Sequence, residues 1–460
     1  MKKRLLYAAF ATLFIFLLTA CRDKEDVVLT LKPQLNPSEL TLTVGDKATV
    51  TLTGVPQDVE VFWITGADNI ASPVNRTHDK TDVQAVGVGK TNIIAVVKSK
   101  GERLELKCSV TVNQNPNKQP IAFEDANLKR QLLAMQPSID KDNDGEITPE
   151  EAKAVTDIDF HFDSKGDALP DKVIKSVVGL EQFTNLRALN LKNQDITNAA
   201  SIEKLASLET LNLCGNNITK LDVSLMTNLK DLRLYDTELT ALDLSKNINL
   251  EQLYIQRTHI SSLDISQLKK LQLLMANGAA LTELTAVDLP ALEQIQVTKN
   301  NIRKMTIRNL PALQQLHANS NVLKEITLEN LPVLQRLNLY DNALESLTLD
   351  LPKLMFLFVY DNQLKQLDTS HLPMLFQISV SNNPIKKLDL SSNPIVRNIE
   401  AENMPAMTEL NLKNNGDFDE DYEYLIIDGN TSLKTIYVDA GSEATAVKQL
   451  VGSKAINVVE

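Results

Sequence analysis

Five of the acidic residues between positions 140 and 151 are spaced so that their oxygen atoms could share one cation. Side-chain carboxylates stand at positions 1, 3, 5 and 12 of this twelve-residue segment, and position 7 adds a backbone carbonyl. The five residues are Asp140, Asp142, Asp144, Glu146 and Glu151. Hard divalent cations such as calcium take several oxygen ligands in a small shell. Gly145 at position 6 permits the sharp bend, so the segment predicts a calcium site.

The same twelve residues resemble the EF-hand loop, including the apolar Ile147 at position 8. Apolar residues at helical spacing precede the loop: Phe123, Leu128, Leu132 and Met135. Pro149 suits the first turn of a helix that follows it. A single loop without a Met-rich groove favours a structural calcium site over a sensor. The alternative is a loop held in this shape by Asx-turns without metal, which four crowded carboxylates would resist at neutral pH.

Aromatic residues form a second candidate site. Phe356, Phe358 and Tyr360 alternate along one predicted strand, and Tyr340 holds the place of Tyr360 in the preceding repeat. Aromatic residues are only 5% of the chain, and large rings supply binding energy at low entropy cost, so the four predict a ligand site. The polar rim that we expect beside them comprises Asp341 and Asp361. Alternatively, the rings stabilise the sheet by packing on each other or on a loop, or they stack on sugars.

Other polar clusters give weaker predictions. Asp157, Asp159, His161 and Asp163 alternate with apolar residues and share one strand face. They could form a second metal site, although a solvated polar face is the simpler interpretation. The chain contains no nucleophile elbow, no HExxH motif and no paired-cysteine motif. We therefore predict no catalytic residues.

A repeated apolar pattern must position the aromatic residues. The pattern Leu-x-x-Leu-x-Leu-x-x-Asn-x-Leu recurs every 20 to 22 residues ten times, followed by two units at spacings of 32 and 26. The units begin at Leu186, Leu208, Leu229, Leu250, Leu271, Leu292, Leu313, Leu334, Leu354, Leu375, Met407 and Leu433, and Val155 supplies an earlier strand. Such periodicity predicts a leucine-rich repeat solenoid of about 13 repeats whose sheet is about 60 Å long. Side chains flanking the leucines would face solvent on its concave side.

The repeats also predict how their turns and return segments are built. A buried amide at the asparagine position can satisfy turn backbone within and between repeats. The predicted ladder comprises Asn216, Asn300, Asn321, Asn342, Asn362, Asn383 and Asn415, with Thr237 and Thr258 replacing it in two repeats. Leu-Pro pairs before several strands disfavour helical returns. Alternating segments such as Ile326-Thr327-Leu328 and Leu388-Asp389-Leu390 predict a second short strand in the return.

Residues 33–113 hold short runs of period-2 alternation between turn residues, which predicts an all-β sandwich. The stretches SELTLTVGDKATVTL, VEVFWITG and VGVGKTNIIAVV resemble the bacterial Ig-like (Big) domains. The resemblance implies that Trp63 is a core residue, that Gly45-Asp46 forms a hairpin turn, and that the domain is a spacer.

The first residues predict export. Three basic residues precede an apolar run that is too short for a membrane span. The run ends in Leu18-Thr19-Ala20-Cys21, which resembles the lipobox of bacterial lipoproteins and implies lipidation of Cys21. An ordinary secretory signal with an incidental cysteine is the alternative. The charged run 22–26 resembles the surface-export signal of Bacteroidota lipoproteins, although it could equally be a solvated tether.

Composition excludes one class of partner. Lys and Arg total 47 against 59 Asp and Glu, which gives a net charge of −12 over 460 residues. Because affinity for nucleic acid comes largely from basic residues, we expect no nucleic-acid partner. Beyond Cys21, the chain contains only Cys108 and Cys214, so no disulfide framework is predicted.

Taken together, the chain resembles the leucine-rich repeat surface lipoproteins of gut and oral Bacteroidota. We expect a mostly β protein that is not an enzyme. It would lie at the cell surface as an outer membrane lipoprotein and contact the membrane through its lipid only. Its partner would be an extracellular or host protein, and an accessory glycan-binding role is the alternative. The predicted segments are a signal peptide (1–20), a lipid tether (21–32), an Ig-like domain (33–113), a linker (114–120), an EF-hand-like cap (121–154), the leucine-rich repeat domain (155–440) and a C-terminal cap (441–460).

Overall fold

The computed structural model describes residues 32–99, 101–114, 119–141, 143–167, 171–415 and 424–460. The chain divides into two compact units, Met1–Pro116 and Asn117–Glu460. The predicted signal peptide, Cys21 and the tether up to residue 31 lie outside the described residues. Within the described ranges, no helix is long and apolar enough to cross a membrane.

The described part of the first unit consists of eight strands in two four-stranded sheets. The strands are β1 (Gln34–Asn36), β2 (Glu39–Thr43), β3 (Lys47–Thr53), β4 (Glu60–Thr65), β5 (Ala71–Val74), β6 (Lys80–Ala85), β7 (Gly89–Ser99) and β8 (Glu102–Asn113). One sheet has the order β1-β3-β6-β5 and the other β2-β8-β7-β4. All pairs are antiparallel except β2 with β8. Alternate residues of these strands are buried, which is the pattern that the period-2 alternation predicts.

Trp63 lies in the core of this unit. Its side chain is 2% exposed, and its indole N–H donates to the carbonyl of Thr77 at 2.8 Å, so the buried polar group is satisfied. The prediction that Gly45-Asp46 forms a hairpin turn is wrong, because β2 and β3 belong to different sheets. Gly45 instead adopts a φ of +99° where the chain passes from one sheet to the other.

The second unit contains three α-helices and twenty described strands. In chain order they are α1 (Ala126–Leu133), α2 (Pro149–Ala152), β9 (Asp157–Asp159), β10 (Ala188–Asn190), β11 (Thr210–Asn212), β12 (Asp231–Arg233), β13 (Gln252–Tyr254), β14 (Leu273–Met275), β15 (Glu283–Val287), β16 (Gln294–Gln296), β17 (Lys304–Arg308), β18 (Gln315–His317), β19 (Glu325–Glu329), β20 (Arg336–Asn338), β21 (Phe356–Phe358), β22 (Gln377–Ser379), β23 (Lys387–Asp389), β24 (Asn398–Glu400), β25 (Glu409–Asn411), β26 (Tyr424–Ile426), β27 (Thr435–Tyr437), α3 (Ser442–Val451) and β28 (Asn457–Val459). Single 3-10 turns occur at Lys165–Asp167, Leu180–Gln182 and Ile202–Lys204.

Thirteen of these strands form one parallel sheet, here called the main sheet. Its order follows the chain: β9, β10, β11, β12, β13, β14, β16, β18, β20, β21, β22, β24 and β26. The central residue of each strand pairs in register with that of its neighbour, as Leu337 does with Leu357. That central residue is buried, and in most strands both of its neighbours are half-buried. The leucine columns therefore face the core, and the flanking side chains line the opposite face.

Return segments form a second layer of strands, as predicted. β15, β17 and β19 make a three-stranded parallel sheet, and β23, β25, β27 and β28 make a four-stranded one. The prediction that Met407 and Leu433 begin repeats of the main sheet is wrong, because β25 and β27 belong to this second layer. Their segments carry the same Leu-x-Leu alternation because both layers bury alternate residues. The repeat that follows Leu375 uses Val396 and Ala401 in place of leucines, and it places β24 in the main sheet.

Buried amides join successive turns. The Asn321 side-chain N–H₂ donates to Val297 of the preceding repeat at 2.9 Å and to Ala318 of its own at 3.0 Å, while its oxygen accepts from the N–H of Ile302. Equivalent bonds form at Asn216, Asn300, Asn342, Asn362 and Asn383. The prediction for Asn415 is wrong: it is exposed, and Asn430 occupies the ladder position instead. Thr237 and Thr258 donate only to carbonyls of their own repeats.

Both ends of the second unit carry helices. Leu128 and Leu132 of α1 are buried against the first repeats. At the other end, Ala444, Val447 and Val451 of α3 are buried, and β28 pairs with β27. At each end of the described solenoid no further repeat covers the hydrophobic core, and these helices cover it instead.

Candidate ligand-binding face

Aromatic side chains gather where β20, β21 and β22 lie side by side. Phe356 and Phe358 flank the buried Leu357 and therefore lie on the face of the main sheet away from the leucine core. Tyr340 and Tyr360 follow the ends of β20 and β21. All four rings are half-buried rather than exposed. The structure thus brings the four predicted aromatic residues together, and we call them, with Arg336 and Phe376, the aromatic cluster.

Contacts between the rings explain their partial burial. Tyr340 and Tyr360 stack with centroids 4.4 Å apart and planes 7° from parallel. Phe356 meets Phe376 edge to face, with centroids 6.3 Å apart and an interplanar angle of 71°. The predicted alternative, in which the rings pack on each other, therefore describes part of their geometry. Their remaining surface stays open, so packing and binding are compatible.

Arg336 completes the cluster. Its guanidinium carbon lies 4.2 Å from the Phe356 centroid and 5.5 Å from that of Phe358. Because the ring faces carry partial negative charge, they attract this cation. Arg336 lies directly opposite Phe356 in the sheet register.

The predicted polar rim lies at the turns that follow β20 and β21. Asp341 and Asp361 are exposed and adopt φ values of +56° and +54°, the left-handed conformation that Asp tolerates better than most residues. Asp361 also accepts a hydrogen bond from the side chain of Asn382 at 2.6 Å. Both aspartates therefore suit the backbone conformation of these turns, whether or not they bind a ligand.

Burial and neighbouring groups alter two ionisable side chains here. Desolvation, with a smaller contribution from Tyr340, raises the pKa of Tyr360 to about 12. Desolvation and the charge of Arg336 lower the pKa of His317, whose ring contacts the side-chain amide of Asn338 at 2.8 Å. His317 is therefore neutral at pH 7, and Arg336 is the cation of this part of the face.

Amide side chains occupy the neighbouring strands. They are Gln294, Gln296, Gln314, Gln315, Gln335 and Asn338. These groups offer paired hydrogen-bond donors and acceptors without net charge. These amides, together with the exposed Glu293 beside Gln314, therefore form a polar band next to the aromatic cluster.

Sequence reasoning missed Arg336 and Phe376. Arg336 flanks a leucine in the repeat before Phe356, so an alignment of successive strands would have placed the two side by side. Phe376 immediately precedes β22 and lies outside the alternating positions from which the site was predicted.

Carboxylates of the predicted calcium loop accept hydrogen bonds from the loop itself. Asp140 accepts from the N–H groups of Asp144 and Gly145 at 3.2 and 3.0 Å. Glu151 accepts from Lys141 N–H at 2.8 Å and from Thr148 N–H at 2.9 Å. Although partial burial acts in the opposite direction, these bonds hold the pKa of Glu151 below its ordinary value.

The donor set of the loop is entirely oxygen, which fits calcium better than a thiophilic metal. Asp142 lies outside the described residues. Among the residues that are described, no group of three or more His, Cys, Asp or Glu side chains is arranged to hold a metal ion. Glu146 lies beside Lys129, with a Nζ–Oε2 distance of 2.7 Å. Calcium binding at Asp140, Asp144 and Glu151 therefore stays a prediction.

The polar residues at the start of the main sheet contact one another or a neighbouring residue. His161 lies 2.5 Å from Asp159 and 3.6 Å from Asp163, measured between ring nitrogens and carboxylate oxygens. Asp157 accepts a hydrogen bond from Thr156. All of these side chains are exposed, as expected of a solvated polar face.

Cys108 and Cys214 are buried, free thiols in different units. Burial raises their pKa values to about 11 and about 12. Neither is a reactive thiolate at neutral pH.

Solved structures that are similar to this chain include three bacterial proteins. The functional domain of InlJ from Listeria monocytogenes, which includes a cysteine ladder, matches with a TM-score of 0.52 and 22% identity. The match covers 69% of this chain and 66% of that chain, slightly less than two thirds of its length. The internalin inlF from Listeria monocytogenes matches at a TM-score of 0.44 and 18% identity, over 75% of this chain and 99% of that one.

YopM from Yersinia enterocolitica matches with a TM-score of 0.38 and 22% identity, over 56% of each chain. No protein-family model and no curated protein matches the sequence. At these identities, structural similarity establishes the fold alone. Together with the thirteen aligned strands and the asparagine ladder, it shows that the second unit is a leucine-rich repeat solenoid.

Proposed function

We propose that this chain is a non-catalytic binding protein anchored at the outer-membrane surface, and that the aromatic cluster on the concave face binds an extracellular or host protein. One observation carries the proposal: half-buried rings and an arginine lie on or next to three adjacent strands, on the side of the main sheet that faces away from the leucine core. Aromatic and arginine side chains dominate binding energy at protein interfaces. The fold supplies the rigid support that such a surface needs.

The anchor is part of the same proposal. Lipidation at Cys21 would tether the mature chain, with the acyl chains as its only membrane contact. The first unit, whose two sheets enclose a Trp63-centred core, would act as a Big-like (bacterial Ig-like) spacer. We expect no nucleic acid among the partners, since the net charge is −12.

We also propose that calcium binds in the EF-hand-like loop of the cap. Asp140, Asp144 and Glu151 would supply carboxylate oxygens, together with Asp142 and the carbonyl of Glu146. The cation would neutralise carboxylates that otherwise repel one another, and so it would stabilise the cap. Its role would be structural, at a distance from the aromatic cluster along the chain.

An accessory glycan-binding lipoprotein is the second candidate function. The uncharged amides of β16 and β18 favour it, because Gln294, Gln296 and Gln315 could pair with sugar hydroxyls. The same rings would then stack on sugars. The two candidates differ in what they require from the cluster: protein binding uses the ring edges and Arg336, whereas sugar stacking needs an open ring face.

Pull-down of extracellular and host proteins, run in parallel with a glycan array, separates the two. Both assays use the full chain with and without calcium. Capture of a defined protein, lost in a Phe358→Ala, Tyr360→Ala double variant, would support the first candidate. Glycan binding without protein capture would support the second, and retention of every ligand by the double variant would exclude the cluster as the site.

A further inference from the structure

The Arg336 side chain contacts rings but no acceptor. Its guanidinium lies over Phe356 and Phe358. Among the described residues, no carboxylate forms a salt bridge with it and no carbonyl accepts from its side chain. A guanidinium has five N–H donors in a planar fork, and ring faces satisfy none of them fully.

Arg233 provides a contrast within the same sheet. It also lies on a main-sheet strand and over a ring, with its guanidinium carbon 4.9 Å from the Tyr254 centroid. Its fork, however, is filled by Asp231, which accepts from Nη2 at 2.7 Å and from Nε at 2.9 Å. Arg233 is thus paired with a carboxylate of its own chain, whereas no carboxylate of the described residues pairs with Arg336.

The strand neighbours of Arg336 are uncharged, and no acidic side chain of the described residues forms a salt bridge with it. Gln315 and Phe356 pair with it on the two neighbouring strands. His317 is close enough for Arg336 to lower its pKa, so this ring adds no charge at neutral pH. The chain as a whole has a net charge of −12. On this partly desolvated face, however, the unpaired guanidinium of Arg336 favours the binding of an anion.

We propose that Arg336 binds a carboxylate from the protein ligand, presented by an extended segment in which an acidic residue is flanked by apolar side chains. The inference rests on the function proposed above and names the chemistry of the partner. Both carboxylate oxygens would accept from the guanidinium fork, while Phe356 and Phe376 contact the flanking apolar groups. Charge-assisted, bidentate pairs of this kind add geometric specificity to affinity.

The ring geometry favours a peptide over an acidic sugar. Tyr340 and Tyr360 cover each other's inner faces at 4.4 Å, and Arg336 covers a face of Phe356. Sugar stacking needs an open ring face, whereas apolar side chains can pack against ring edges. The exposed Gln335, next to Arg336, offers a donor and an acceptor that match those of a peptide backbone.

A peptide array tests the proposal. The probes are nine-residue acetylated and amidated peptides with a central Glu, whose four nearest neighbours vary among Leu, Ile, Val, Phe and Tyr. A second array carries Gln at the centre, and labelled oligogalacturonate represents acidic sugars. The full chain is compared with the variant Arg336→Gln. The control variant is Arg233→Gln, because the guanidinium of Arg233 is already bonded to Asp231. Thermal melting of each variant confirms folding.

We expect a subset of Glu peptides to bind at least about tenfold more tightly than their Gln counterparts, with the difference lost in Arg336→Gln and kept in Arg233→Gln. High salt should weaken the same subset. The proposal is wrong if no Glu peptide binds, if Glu and Gln peptides bind equally, or if oligogalacturonate alone binds. If Phe358→Ala, Tyr360→Ala abolishes protein capture while Arg336→Gln leaves it unchanged, the proposed function stands and this inference fails.

Discussion

Tyr340 and Tyr360 are stacked face to face across two adjacent strands, with ring centroids 4.4 Å apart and planes 7° from parallel. An aromatic pair contributes about 0.5–1.5 kcal/mol beyond the area that it buries. A double-mutant cycle with Tyr340→Ala and Tyr360→Ala should therefore show a coupling free energy of this size in urea unfolding. Additive effects of the two substitutions would mean that the rings do not interact in solution.

Tyr360 should also make stability depend on pH in the alkaline range. Its pKa is raised to about 12 in the folded chain, chiefly by desolvation, whereas an unfolded tyrosine titrates near 10. Because the folded state favours the neutral form of Tyr360, this residue contributes fully to the free energy of unfolding below about pH 10. The contribution is lost as pH rises towards 12. Burial also raises the pKa of Tyr254, so absorbance titration should show a late-ionising tyrosine signal that decreases in Tyr360→Phe. Unchanged titration in that variant would contradict the assignment.

The asparagine ladder should account for much of the stability of the turns. Asn321→Ala removes bonds to Val297, Ala318 and Ile302, and it leaves buried backbone groups without partners. We expect a loss of about 2–3 kcal/mol in the free energy of unfolding, measured with urea. Asn301→Ala is the matched control, because this residue is exposed, lies outside the ladder and does not adopt a left-handed backbone conformation. Equal effects at the two positions would show that the ladder adds little.

Calcium should stabilise the cap. At 10 mM calcium and a dissociation constant of about 0.1–1 mM, binding adds about 1–3 kcal/mol to the stability of the folded state. Glu151→Gln should abolish the calcium-dependent rise in melting temperature while it preserves the helix cap that Glu151 forms with Thr148. Glu150→Gln, at an exposed neighbour, should retain the rise. A loop closed by its own hydrogen bonds alone would show no calcium response in any variant.

Glu443 should destabilise the C-terminal end at neutral pH. The residue is 2% exposed, and burial raises the pKa of its carboxyl to about 7. Its Oε2 accepts from Asp439 N–H, while Oε1 has no partner among the described residues. Stability from the protonated form is complete below about pH 4.5 and is lost as pH rises through 7. Glu443→Gln should therefore raise the melting temperature at pH 8 and leave it nearly unchanged at pH 4.

Sequence periodicity predicted the solenoid because every main-sheet strand must bury the same central position. It failed at the repeat of β24, where Val396 and Ala401 replace leucines, and at β25, where the second layer repeats the same alternation. Asn415 was misassigned to the ladder for the same reason. The four aromatic residues could be placed on one face from their spacing alone.

The rest of the site depends on lateral contacts between strands. The ring stacking, the edge-to-face contact of Phe376 and the position of Arg336 over Phe356 follow from the register of β20, β21 and β22. The repeats here are 20 and 21 residues long. Aligning their leucines pairs Arg336 with Phe356, but it does not give the orientation of the rings. By contrast, the pairing of Asp231 with Arg233 could be expected from the alternation of side chains along one strand, whereas the residue two positions from Arg336 is the uncharged Asn338.

Ligand capture by the aromatic cluster is the most direct test of the account. Biolayer interferometry compares the full chain with Phe358→Ala, Tyr360→Ala against a protein captured in the pull-down, and Leu225→Ala, at a 57% exposed position outside the main-sheet strands, is the control. We predict that the double variant loses at least about 2 kcal/mol of binding free energy, or about thirtyfold in affinity, while the control binds normally. Undiminished binding by a folded double variant would contradict the assignment of this face as the ligand site.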